Sequence, residues 1–239
     1  MTGRLFAIGD IHGCARELER LLDALALADG DTVAFVGDYL DRGPDARAVV
    51  DLVLALRTRP GLSTVCLRGN HEDMCLGYLG RDGSWGEAWC QNGGTATLRS
   101  YCIDPRLSGA DAAAEMPAAH LAFLESLVPS HVAEQHLLVH AGVRPDLPFA
   151  EQDLEDLLWI REEFIDHPHT LPYTIVFGHT PHRAVRVDLP YKIGIDTGCV
   201  YGGLLTAVEL GEGVLHQIRQ GERRVRQSAL QATARRWFG

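Results

Sequence analysis

The stretch Leu5-Phe6-Ala7-Ile8-Gly9-Asp10-Ile11-His12-Gly13 decides how this chain is to be read. Its first four residues form a continuous apolar run of strand length, which stops at a glycine followed by a carboxylate and an imidazole. Leu18, Leu21, Leu22 and Leu25 then repeat at i, i+3, i+4 and i+7, the period of a helix with one buried face. A strand, a polar turn and a helix in that order open a parallel α/β sheet. The unit recurs: residues 33–36 read as a second strand, and a helix beyond Pro44 carries Val49, Leu52, Val53 and Leu56 on one face. Residues 63–67 read as a third strand.

Periodicity fades over residues 77–117, where Gly83, Gly86, Gly93 and Gly94 sit among aromatic and small residues, so irregular chain with short helices is expected. A helix carrying Leu121, Leu124 and Val128 follows, then three apolar runs at 136–139, 174–177 and 192–195. Residues 204–209 and 214–218, around Gly211-Glu212-Gly213, predict an antiparallel hairpin. Parallel strands early and a hairpin late suggest two packed sheets with helices outside, although the pattern alone also fits a single mixed sheet. With 239 residues, 46% of them apolar, and neither repeat nor linker, one domain over residues 1–239 is expected.

A formal charge of −10 without a Lys/Arg run leaves no electrostatic footprint for a nucleic-acid backbone. No stretch approaches the roughly 18 consecutive apolar residues of a membrane span. The opening MTGRLFAIGD lacks the basic region and long apolar core of a secretion signal. Cys14, Cys66, Cys75, Cys90, Cys102 and Cys199 contain no Cys-x-x-Cys pair. Together these features predict a soluble protein of the reducing cytoplasm, with no nucleic-acid or membrane partner.

Metal-ligand residue types cluster just after the expected strands: Asp10 and His12, Asp38 and Asp41, Asn70 and His71, then His140 and His179. In α/β sheets the carboxyl ends of the strands converge on one edge, so one cleft could collect them all. Asp10 and His12 are two apart and would point the same way if the strand conformation persisted. A glycine precedes Asp10, Asp38, Asn70 and His179, as close backbone approach to a ligand requires. One aspartate after a strand is usually a helix cap, and one histidine usually structural. Five such clusters in one chain point to a metal centre instead.

Gly9-Asp10-Ile11-His12-Gly13, Gly37-Asp38-Tyr39-Leu40-Asp41-Arg42-Gly43 and Gly69-Asn70-His71-Glu72 resemble the three signature motifs of the metallophosphoesterases, phosphoprotein phosphatase branch. His140-Ala141-Gly142 and Gly178-His179-Thr180 are similar to that family's two later histidine motifs. The resemblance implies a four-layer α-β-β-α sandwich of two mixed sheets, the calcineurin-like fold. It implies two divalent metal ions, the first on Asp10, His12 and Asp38 and the second on Asp38, Asn70, His140 and His179, with Asp38 bridging. Oxygen and imidazole ligands suit Mn²⁺, Fe or Zn²⁺, and the family favours manganese.

Two divalent ions on two carboxylates leave positive charge to attract a phosphate dianion, and together they acidify a shared water for in-line attack on phosphorus. An alkoxide leaving group needs a proton. By resemblance His71 supplies it, oriented by Asp41. Arg42, and by a shorter motif Arg161, would hold phosphate oxygens. Arg68 is left without a role, and Cys14 is read as structural. His182 and Glu72 are read as either supporting the ligands or facing solvent.

The function implied is a phosphomonoesterase acting on phosphoserine or phosphothreonine in proteins, of the bacterial and phage serine/threonine type. Symmetrical diadenosine tetraphosphate hydrolases, which share the GDxHG start and Gly178-His179-Thr180-Pro181, supply the alternative of a small phosphoester substrate. Their leaving group is a weaker base and depends less on a general acid, so the intact Asp41 and His71 favour the phosphatase. A binding protein that had lost its chemistry would lack ligands, and a nuclease would carry a basic stripe. Neither description fits.

Overall fold

The computed structural model describes residues 3–231. Eleven short strands run in chain order: β1 (Leu5–Ile8), β2 (Thr32–Phe35), β3 (Ser63–Cys66), β4 (Ser130–Ala133), β5 (His136–Val139), β6 (Thr174–Phe177), β7 (Arg186–Asp188), β8 (Lys192–Gly194), β9 (Leu204–Glu209), β10 (Val214–Arg219) and β11 (Arg226–Ala229). The helices are α1 (Ala15–Ala24), α2 (Ala46–Arg57), α3 (Asn70–Tyr78), α4 (Thr95–Ser100), α5 (Gly109–Glu115), α6 (Ala118–Glu125), α7 (Leu154–Trp159) and α8 (Glu162–Ile165). Among the described residues no helix is long and apolar enough to cross a membrane.

The strands form two mixed sheets, ordered β11-β10-β9-β1-β2-β3 and β4-β5-β6-β8-β7. In the first, β1, β2 and β3 are parallel, and β9 runs antiparallel to β1 with Phe6 opposite Glu209. In the second, β5, β6 and β8 are parallel and are edged by antiparallel β4 and β7.

Side-chain alternation sorts the strands into four layers. Phe6, Ile8, Val33 and Phe35 face a core shared with α1 and α2, while Ala7 and Ala34 between them face the second sheet. Leu138 and Val176 meet Ala7 and Ala34 in that inter-sheet core. Leu137, Val139, Ile175 and Phe177 point the other way, onto Leu157, Ile160 and Phe164 of the α7–α8 region. The architecture is therefore the four-layer α-β-β-α sandwich of two mixed sheets, not a single sheet.

Helix α1 buries Leu18 and Leu21 as its period requires, and α2 begins after Asp45, whose carboxylate accepts from the Ala48 N–H at 3.2 Å. The expected helix after Pro117 ends at Glu125, short of Val128. Val128 instead pairs with Leu67 in an isolated parallel bridge beyond the end of β3. Residues 77–117 contain the expected short helices α4 and α5 and a π-turn over Cys90–Gly94.

Candidate metal centre and active site

Every sequence-predicted ligand follows the carboxyl end of a parallel strand: Asp10 and His12 after β1, Asp38 after β2, Asn70 after β3, His140 after β5 and His179 after β6. All six are buried. The close approach depends on the glycines before them. A Cβ on Gly178 would lie 2.0 Å from Asp10 Oδ1, and one on Gly69 would lie 2.2 Å from Asp38 Oδ1. Backbone strain collects at the same place. Of nine non-glycine residues with positive φ among those described, five are His12, Asp38, Asp41, Arg42 and His179. Such conformations persist only where surrounding contacts impose them.

Two groups of donor atoms, each within 4.8 Å of one another, could hold metal ions: His12, Asp38 and His71, and Asp38, His140 and His179. Asp38 belongs to both. Asn70 joins the second group, its Oδ1 lying 2.9 Å from His140 Nε2 and 3.0 Å from His179 Nδ1. Asp10 sits differently from the simple alternation expected. His12 turns to φ 45°, so the strand conformation ends between the two residues. His12 faces Asp38, whereas the Asp10 carboxylate accepts from the His179 N–H at 3.0 and 3.2 Å.

The donor set fits a divalent cation. His12 Nδ1 donates to the Leu40 carbonyl at 2.7 Å and His140 Nδ1 to the Val36 carbonyl at 2.8 Å. Those bonds fix the tautomers and turn a bare Nε2 lone pair inward. His12 Nε2 then faces Asp38 Oδ2 at 3.3 Å and His140 Nε2 faces Asp38 Oδ1 at 3.4 Å. Acceptor opposite acceptor calls for positive charge nearby: Arg42 Nη1 supplies it at His12, and at His140 a bound cation would. Burial pushes His12 down to about 3 against the pull of Asp38, and burial with His140 and Arg161 nearby lowers His179 to about 2. Both imidazoles are neutral at pH 7, as metal ligation would require. Burial, then Asp196 and Asp38, holds Asp10 well above the usual carboxylate range, as expected where carboxylates crowd.

His71 differs in kind. Its Nδ1 lies 2.6 Å from Asp41 Oδ2, and its Nε2 is buried without a partner among the described residues. Burial works against its charge, but Asp38 and the Asp41 hydrogen bond outweigh that and raise its pKa. Asp41 is itself fixed by Trp89 Nε1 at 2.8 Å and Thr97 Oγ1 at 2.6 Å. Arg42 is exposed, donates from Nη1 to His12 Nε2 at 2.5 Å, and stands 5.7 Å over the Tyr201 ring. Arg161 is exposed at the start of α8, on the wall of a cleft of about 540 Å³ that includes Trp159.

Sequence reasoning passed over Trp89, Thr97, Tyr201 and Asp196. Asp196 lies just beyond β8, is held above the carboxylate range at about 6 by burial, and accepts from the Gly198 N–H at 2.9 Å. The strand-end rule that found the other ligand types would have found it too. Glu72 proves to be an anchor, its carboxylate accepting from the N–H groups of Asp38, Tyr39, Leu40 and Gly69 at 2.9 to 3.1 Å. Arg68 bonds Asp73 and the Asp82 carbonyl, and His182 is half-buried with its N–H on the Asp196 carbonyl. Cys14 is buried at the start of α1.

A family profile described as calcineurin-like phosphoesterase matches residues 3–208. The chain is 32% identical over 212 residues to the serine/threonine-protein phosphatase 1 of Salmonella typhimurium, an alignment covering 86% of this chain and 91% of that protein. It is 29% identical over 240 residues to the bis(5'-nucleosyl)-tetraphosphatase PrpE (asymmetrical) of Halalkalibacterium halodurans, covering 86% and 89%. The crystal structure of a candidate diadenosine tetraphosphatase superposes with a TM-score of 0.69 at 28% identity, covering 92% of this chain and 95% of the other.

Proposed function

The chain belongs to the calcineurin-like phosphoesterases, and from that premise we propose that it is a dinuclear phosphomonoesterase that removes phosphate from phosphoserine or phosphothreonine in proteins. The chain acts as one catalytic domain. Asp10, His12 and Asp38 would hold one ion, and Asp38, Asn70, His140 and His179 the other, with manganese the expected metal. Divalent ions bound there would supply positive charge to the phosphate and would acidify a water for in-line attack. Arg42 and Arg161 take the outer phosphate oxygens through their planar donor forks. His71 gives its Nε2 proton to the departing seryl or threonyl oxygen, while Asp41 keeps the imidazole oriented and charged.

The observation that carries this reading is the 2.6 Å Asp41–His71 bond, braced by Trp89 and Thr97. A proton donor built so firmly matters most for an alkoxide leaving group. The tetraphosphatase relatives support a second reading, hydrolysis of dinucleoside tetraphosphates, in which a nucleotide leaves and the acid contributes less. Metal-stripped protein given Mn²⁺ is assayed for phosphate release from a phosphoserine peptide and for cleavage of diadenosine tetraphosphate. A kcat/KM higher on the peptide by about tenfold or more is expected; preference for the dinucleotide would transfer the function to nucleotide turnover.

A further inference from the structure

Trp85 lies in the segment Gly83-Ser84-Trp85-Gly86, between the third motif and the residues that brace Asp41. The residue is 52% exposed, and its backbone stands at φ 56°, a conformation that bulky residues rarely adopt. The loop that holds it is tightly docked. A Cβ on Gly83 would come within 2.2 Å of the Asp73 carbonyl oxygen, and one on Gly86 within 2.3 Å of the Tyr78 nitrogen. The Ser84 N–H donates to Asp73 at 3.0 Å, and the Trp85 carbonyl accepts from Ala88 at 3.0 Å. Backbone pressed on backbone against α3 thus displays a large ring that the core does not use.

Trp85 faces a cleft of about 310 Å³ lined also by Met74, Ala88, Asn92, Glu155 and Trp159. The cleft adjoins the proposed catalytic centre on two sides. Met74 follows His71 on α3 by three residues, about 4.5 Å along the axis. Trp159 meets the His179 ring edge-on, with centroids 6.0 Å apart. The volume suits one planar or long apolar group, and two indoles with a thioether supply the contacts such a group needs. Charge selects what carries it. Glu155 lines the cleft, and Asp153 and Glu162 line the neighbouring Arg161 cleft, where Arg144 pairs with Asp156 at 2.7 Å and Glu163 at 3.6 Å, in a chain of net charge −10. These carboxylates repel the additional phosphates of a polyphosphate but not a neutral side chain.

We infer that this cleft binds an aromatic or large apolar side chain adjacent to the phosphorylated residue of a protein substrate, with Trp85 as a specificity-determining residue. The inference rests on the phosphoprotein reading above. Phosphoserine peptides with Phe or Ala immediately before or after the phosphoserine are compared on the Mn²⁺-loaded wild type, Trp85→Ala and Trp85→Phe, with p-nitrophenyl phosphate as the control. One Phe peptide should show a KM about tenfold below its Ala counterpart, by the burial of one ring. Trp85→Ala should erase that ratio, with turnover of the Ala peptide and the control ester unchanged, and Trp85→Phe should restore most of it. Peptides hydrolysed without regard to the ring, or a ratio that survives Trp85→Ala, would overturn the inference alone. Hydrolysis of the control ester but of no phosphopeptide would overturn the phosphoprotein reading and this inference with it. Diadenosine tetraphosphate as the one cleaved substrate, with a KM raised by Trp85→Ala, would assign the cleft to a nucleobase and overturn the side chain as occupant.

Discussion

Glu72 Oε2 accepts from the backbone N–H of Asp38 at 2.9 Å, so the residue common to both candidate ion groups hangs from a carboxylate that belongs to neither. The same carboxylate takes three further N–H groups, from Tyr39, Leu40 and Gly69, and ties the loop after β2 to the start of α3. Glu72→Ala leaves four buried donors without an acceptor. The expected cost is about 3 to 5 kcal/mol, seen as a fall in Tm of about 6–20 °C. Glu72→Gln, which keeps one acceptor oxygen, should cost less. A Tm unchanged in Glu72→Ala would mean the loop is anchored by something else.

The Asp41–His71 pair carries the second prediction. His71→Asn should lower kcat on phosphoserine peptides by about 10²- to 10⁴-fold, and on p-nitrophenyl phosphate by less than about tenfold, because a phenolate leaves without help. Equal losses on the two substrates would count against proton donation by His71.

Asp38→Asn should lower occupancy of both ions, measured by elemental analysis of protein loaded with excess Mn²⁺ and then desalted. Turnover should fall by at least about 100-fold. Two full equivalents of metal in the variant would contradict the shared position of Asp38.

A pH-dependent contribution to stability is expected far from the centre. Burial opposes the Asp31 charge, but hydrogen bonds from the Arg4 side chain and from the Ala28 and Arg4 N–H groups outweigh it and lower its pKa. A carboxylate depressed in the folded state stabilises above its unfolded pKa, and that contribution is lost as pH falls through the folded value. Asp31→Asn should therefore lower Tm at pH 7, with the gap to wild type narrowing below about pH 4. A gap independent of pH would remove Asp31 ionisation as its cause.

What the sequence made legible is the part written in local pattern. Strands such as β1 and β5 announce themselves as apolar runs, and the polar residues after them share an edge because parallel strands end together. β4, β7 and β11 did not, being short, at or near sheet edges, and without an unbroken apolar run. Trp89 and Thr97 reach Asp41 from 48 and 56 residues away, out of a stretch with no periodicity to read. The different bearings of Asp10 and His12 depend on a left-handed backbone at a non-glycine residue, which tertiary packing imposes and no local propensity foretells.

The ligand types come from both halves of the sandwich. Asp10, His12, Asp38 and Asn70 hang from the first sheet, and His140 and His179 from the second. An ion gripped by both sets is a clasp across the seam where Ala7 and Ala34 meet Leu138 and Val176. Metal occupancy would thereby become a term in holding the two halves of the molecule shut, and a chelator would work on the fold as well as on the chemistry.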